Sequence, residues 1–125
     1  MSLAIIETNE VHLIGRLAES PVHKIMPSGD AAVEFRIVVR RPPPVIRRQK
    51  ADSLQCISYR AAAIKSAVGW LPGDVLELHG TLHHRFWRGE SGTRSAYEVD
   101  ARTVRRVSRA PAAKPGRRTV KAGVA

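Results

Sequence analysis

Cysteine occurs once in the 125 residues, at Cys56, so the chain cannot close a disulfide on itself. A lone cysteine is expected as a small core residue in a reducing compartment. No apolar run approaches the ~18 residues a membrane helix needs. The opening MSLAIIETNE has neither a basic leader nor a long apolar stretch, so no signal peptide is expected and the expected location is cytoplasmic. Metal-ligand spacing is missing: His79, His83, His84 and Cys56 make no C-x-x-C or H-E-x-x-H pattern, so neither a metal nor a cofactor is expected. There is no glycine-rich phosphate loop and no set of acid, base and nucleophile. Glu98 and Asp100 share one strand face, but a single such pair is usually solvated. An enzyme and a small-molecule substrate are therefore not expected.

Acid is the most informative shortage. No Asp or Glu follows Asp100, while residues 105–125 carry Arg105, Arg106, Arg109, Lys114, Arg117, Arg118 and Lys121. The whole chain has a net charge of +10, and most of it lies in this segment. Its Ala, Pro, Gly and Arg cannot bury enough apolar surface to order the backbone. The reading is a domain over 1–107 and a flexible basic tail over 108–125. A field of this sign favours polyanions, either nucleic acid or an anionic surface.

What is present is mostly alternation. In EVHLIGRL (10–17), Val11, Leu13, Gly15 and Leu17 share one face, with His12, Ile14 and Arg16 on the other, which predicts a half-buried strand. After the turn signal Pro27-Ser28-Gly29-Asp30, VEFRIVVR (33–40) turns Val33, Phe35, Ile37 and Val39 inward, leaving Arg36 and Arg40 on a basic outer face. RRPPPVIRRQKAD (40–52) holds three prolines in a row, which no sheet interior accepts. It reads as a protruding loop carrying Arg40, Arg41, Arg47, Arg48 and Lys50. Residues 53–60 form a further strand. Over 61–71 the period changes: Ile64, Ala67, Val68 and Leu71 make one helical stripe, stopped by Pro72-Gly73. VLELHGTLHHRFW (75–87) and AYEVDARTV (96–104) return to alternation, the latter with Tyr97, Val99 and Ala101 on one side. Three strands, a helix and two strands match an all-β five-stranded OB-fold barrel with one short helix between its third and fourth strands.

The segment LHHRFWRG (82–89) places large aromatics between arginines. If no bulge intervenes, Phe86 falls on the face of Leu76, Leu78 and Leu82, the expected core residues. Trp87 falls with Arg85 on the opposite face. An exposed indole beside a guanidinium can stack a nucleobase and contact its phosphate. Trp70, at the end of the helix, is expected to be structural.

NEVHLIGRLAESPVHKIMPSGDAAVEFRIVV and GDVLELHGTLHHRFW resemble the corresponding strands of bacterial single-stranded DNA-binding proteins, and the similarity spans about 9–107. The resemblance implies single-stranded DNA as partner, assembly as a dimer or tetramer, and roles in replication, recombination or repair at the nucleoid. It assigns nucleic-acid contacts to Trp87, Arg85 and Tyr59. Arg40, Arg41, Arg47, Arg48, Lys50, Arg60, Arg36 and Arg88 join them as candidate phosphate contacts. Two aromatic positions of the family are replaced, by Ser53 and Pro43. The chain ends VKAGVA, without the acidic tip that many members use to recruit other replication proteins, so that recruitment is not expected. A primosomal-type accessory protein and an RNA-binding OB domain remain open, since nothing in the sequence reads a 2′-hydroxyl.

Overall fold

In the computed structural model, which describes residues 4–44 and 48–111, six strands and one helix follow in the order β1 (Val11–Leu17), β2 (Val22–Ile25), β3 (Ala31–Arg40), β4 (Ala51–Ser58), α1 (Ala61–Ala67), β5 (Val75–Gly89) and β6 (Gly92–Ser108). The sheet runs β1-β5-β6-β4-β3-β2, and an additional β1–β3 pairing closes it on itself. All pairings are antiparallel except β4–β6, which is parallel over Cys56↔Val99 and Ile57↔Asp100. The result is a closed five-stranded barrel with β2 added along the free side of β3. The sequence reading did not contain β2. Its four residues, VHKI, are all exposed, so no inward face marks them.

Closure brings β1 within side-chain distance of β3. At Gly15 a Cβ would sit 2.6 Å from the Val38 carbonyl oxygen, so only glycine lets β1 bend across β3 here. Gly80 is tighter still: a Cβ would overlap the Asp100 carbonyl oxygen and lie 2.9 Å from the Ala101 Cα. Asn9 fixes the other end of β1. Its amide donates to the Leu82 carbonyl and accepts from the Leu82 N–H, both at 2.8 Å, extending the β1–β5 ladder past its last backbone pair.

The core holds Leu17, Val33, Phe35, Ile37, Cys56, Leu76, Leu78, Val99 and Ala101, with Trp70 edge-on to Phe35 at 5.3 Å. These are the inward positions of the alternating strands, and an edge-to-face pair adds about 0.5–1.5 kcal/mol to the burial itself. The helix departs from its expected stripe. Ala63, Ala67 and Trp70 are buried, Ile64 is partly buried, and Val68 and Leu71 are exposed. The helix ends at Ala67, before Val68 and Leu71 can continue the stripe, and the large indole of Trp70 packs over Phe35 instead.

Leu82 and Phe86 also depart from expectation. Both lie on the core side of β5, yet they are 44% and 62% exposed. Leu82 stands at the rim, where its partner Val99 makes one of the last β4–β6 pairings; beyond it the β5–β6 pair runs past the end of the barrel as a two-stranded arm, so among the described residues no other strand covers its inward side. There His84 stacks on Tyr97 (4.4 Å between ring centres) and touches Phe86 (4.2 Å).

The C-terminal end of β6 is tied back to the barrel. Asp74 is buried and accepts hydrogen bonds from the N–H groups of Leu71 (2.9 Å) and Ala110 (2.7 Å), with Arg106 at 3.4 Å. Most of the expected tail, 112–125, lies outside the described residues, as does Arg47 in the loop.

Candidate nucleic-acid interface

The outward faces of β3, β4 and the β5–β6 arm meet around an open groove of about 590 Å³, lined among others by Lys24, Arg36, Ser53, Gln55, Arg85, Trp87 and Glu98. Each strand contributes by alternation. Arg36 faces outward because Phe35 and Ile37 face the core, and its cross-strand partner is Gln55. The guanidinium of Arg36 donates to the Ser53 hydroxyl and the Gln55 side-chain oxygen, both at 3.1 Å. Both acceptors are neutral, so the side chain is aimed while its charge remains available.

On the arm, Trp87 is 40% exposed and Arg85 lies over its ring, the guanidinium carbon 5.2 Å from the ring centre. Arg85 also pairs with Glu98 at 3.6 Å. Glu98 and Asp100 therefore face the groove side, where Asp100 lies 4.0 Å from His83. Glu98 sets the Arg85 side chain in place, and both carboxylates lower the positive potential of this face. Trp87 lies directly across the strand pair from Arg94, whose side chain extends over Gly89. Ser53, Gln55, Glu98 and Arg94 were not candidates from the sequence. Ser53 and Gln55 could have been found from the alternation of β4; Arg94 required the β5–β6 register.

The remaining candidates divide. Arg40 shares the outer face of β3 with Arg36, and Arg48 and Lys50 are exposed in the loop beside it. Arg41 is committed elsewhere: it grips Asp52 through two bonds of 2.8 and 3.0 Å. That hydrogen-bonded pair raises the Arg41 pKa and lowers that of Asp52. Tyr59 follows β4 and is 43% exposed. Burial and the nearby carboxylates of Glu98 and Asp100 push its pKa up, so the phenol stays neutral. Arg60 is exposed at the start of α1. Arg88 lies opposite Thr93 on the Phe86 side of the arm, so the structure does not bring it to the Trp87 face.

A closed barrel with a helix bridging two of its strands is an OB-fold, and its outer face carries a groove lined by Lys24, Arg36 and Arg85 beside the exposed Trp87. The fold matches that of the Plasmodium falciparum SSB in complex with ssDNA, with a TM-score of 0.67 and 20% identity over 82% of this chain and 96% of that one. Residues 8–107 match the single-strand binding protein family, and the chain belongs to that family. It is 32% identical to single-stranded DNA-binding protein 3 of Listeria innocua, over 69% of this chain and 54% of that protein. It is 30% identical to single-stranded DNA-binding protein A of Bacillus subtilis, over 77% of this chain and 57% of that protein. The chain thus spans little more than half the length of these curated relatives.

Proposed function

We propose that the domain binds single-stranded DNA with little sequence preference and shields it during replication, recombination or repair, without catalysis. The observation that carries this reading is the pairing of an exposed Trp87 with Arg85 on the face that also presents Arg36. An indole stacks on any base, and the arginines take the phosphates on either side. Tyr59 serves as a second platform, and Arg40, Arg48, Lys50 and Arg60 extend the phosphate track. Arg41 acts through the Asp52 pair that shapes the loop. The names of the bacterial relatives favour DNA over RNA. Family membership supports assembly as a dimer or tetramer in the cytoplasm.

The test is a competition among single-stranded DNA, RNA and duplex DNA of equal length, followed by fluorescence anisotropy, with mass measured in parallel by light scattering. Single-stranded DNA should win. If about four phosphates are neutralised, the logarithm of affinity should fall with the logarithm of salt at a slope near −3. A preference for RNA or duplex, or a flat salt profile, would overturn the reading.

A further inference from the structure

A second cluster of side chains lies roughly 26 Å along β5 from Trp87, at ~3.3 Å per strand residue. His12 on β1 is directly across from His79 on β5, and Glu77 stands two residues before His79 on the same outer face. The two imidazoles stack at 4.1 Å with an 11° tilt. One ligand atom from each of the three residues lies within 4.8 Å of the others, and His12 Nε2 is 2.7 Å from Glu77 Oε2. We propose that His12, Glu77 and His79 bind a borderline divalent cation of the zinc type.

The donor set carries the choice of ion. Two imidazoles and one carboxylate suit Zn²⁺, Co²⁺ or Ni²⁺, whereas Mg²⁺ and Ca²⁺ require mainly oxygen ligands. Around a tetrahedral ion with bonds of ~2.0–2.2 Å, ligand atoms stand roughly 3.3–3.5 Å apart. His12 Nε2 and Glu77 Oε2 are 2.7 Å apart and no pair of ligand atoms is farther apart than 4.8 Å, so the three donors already converge on a volume of the size an ion needs.

Outer partners already hold two of the three groups, as they do around protein-bound metals. Arg105 donates to Glu77 Oε1 at 2.8 and 3.0 Å, which leaves Oε2 toward His12. The Thr103 hydroxyl is 3.4 Å from His79 Nδ1, so one ring nitrogen has an oxygen partner and the other is free to ligate. The ion would clip β1 to β5 and keep its remaining position open to solvent. The cluster shares no residue with the groove, so the site stands or falls independently of DNA binding.

The test uses the untagged full chain, stripped with chelator, titrated with ZnCl₂ by calorimetry and melted with and without Zn²⁺. One ion should bind per chain and raise Tm. His12→Ala and His79→Ala should each weaken binding by more than the ~10- to 100-fold that losing an outer partner costs, and should abolish the Tm rise. Circular dichroism checks that both variants fold. Glu77→Gln keeps the side-chain shape and provides a third reading should either fail. His84→Ala, on the other side of the arm, should change nothing. No heat on titration, unchanged binding in the folded ligand variants, or an equal loss in His84→Ala would overturn the site.

Discussion

Truncating Trp87 to alanine separates a stacking platform from a packing residue, because the two roles predict opposite balances of affinity and stability. The ring lies on the arm outside the core cluster, 40% exposed, with Arg85 as its cation partner. An exposed cation–π contact contributes about 0.5–1 kcal/mol, so the loss of fold stability should stay near or below that. One stacked base contributes ~1–3 kcal/mol, so the Kd for oligo-dT should rise about 5- to 160-fold. Stacking neutralises no phosphate, so the salt slope of Trp87→Ala should match that of the wild type. Arg85→Ala should instead flatten the slope by about 0.7. Trp87→Phe should recover part of the affinity. The assay is anisotropy of a labelled oligonucleotide, since removing Trp87 also removes intrinsic signal, with urea melts alongside. Kd within twofold of wild type in a folded Trp87→Ala protein would refute the stacking role. So would a stability loss of ~3–5 kcal/mol, the range for truncating a core aromatic.

Three further outcomes follow from the barrel. Burial raises the pKa of Asp74, but the Leu71, Ala110 and Arg106 bonds more than offset it and hold the carboxyl below the usual aspartate range. A depressed carboxylate contributes stability above its unfolded pKa and loses it as pH falls through the folded value. Asp74→Ala should therefore cost about 1–3 kcal/mol at pH 7, because two amide donors lose their acceptor, and the gap to wild type should shrink in urea melts below about pH 4. Gly80→Ala, which drives a methyl into the Asp100 carbonyl, should cost at least ~1–3 kcal/mol in the same melts, whereas Gly29→Ala, with nothing near its Cβ, should cost only the strain of its positive φ. Burial pushes the Cys56 thiol up to about 12, so an aromatic disulfide reagent at pH 8 should react only once guanidinium unfolds the chain; rapid labelling of native protein would contradict this burial.

The strands that form the barrel wall were legible because each carries one buried and one solvated face. Val33, Phe35, Ile37 and Leu76, Leu78 announce the core by period alone, and Arg36 follows by exclusion. Period reads one strand at a time, however, and says nothing about where the barrel ends. Leu82 and Phe86 obey the pattern of Leu76 and Leu78 yet face solvent, because their burial depends on a neighbour that the arm has left behind. Relations across strands were equally hidden. Arg41–Asp52, Arg85–Glu98 and His12–His79 are separated by 11, 13 and 67 positions and meet only through the register. The same limit applies to metal-ligand spacing, which looks for ligands close in sequence and so does not register His12, Glu77 and His79, the set proposed above, as neighbours. The face of Trp87 escaped this limit for a local reason. The β5–β6 ladder contains two irregularities, where Val75/Leu76 face Ser108/Arg106 and His79/Gly80 face Thr103/Ala101. In both, the extra residue, Val107 or Arg102, belongs to β6. β5 itself alternates without interruption from Leu76 to Trp87. One inserted residue between Gly80 and Arg85 would have turned Arg85 and Trp87 together to the inward side of the strand, away from the face that carries Arg36.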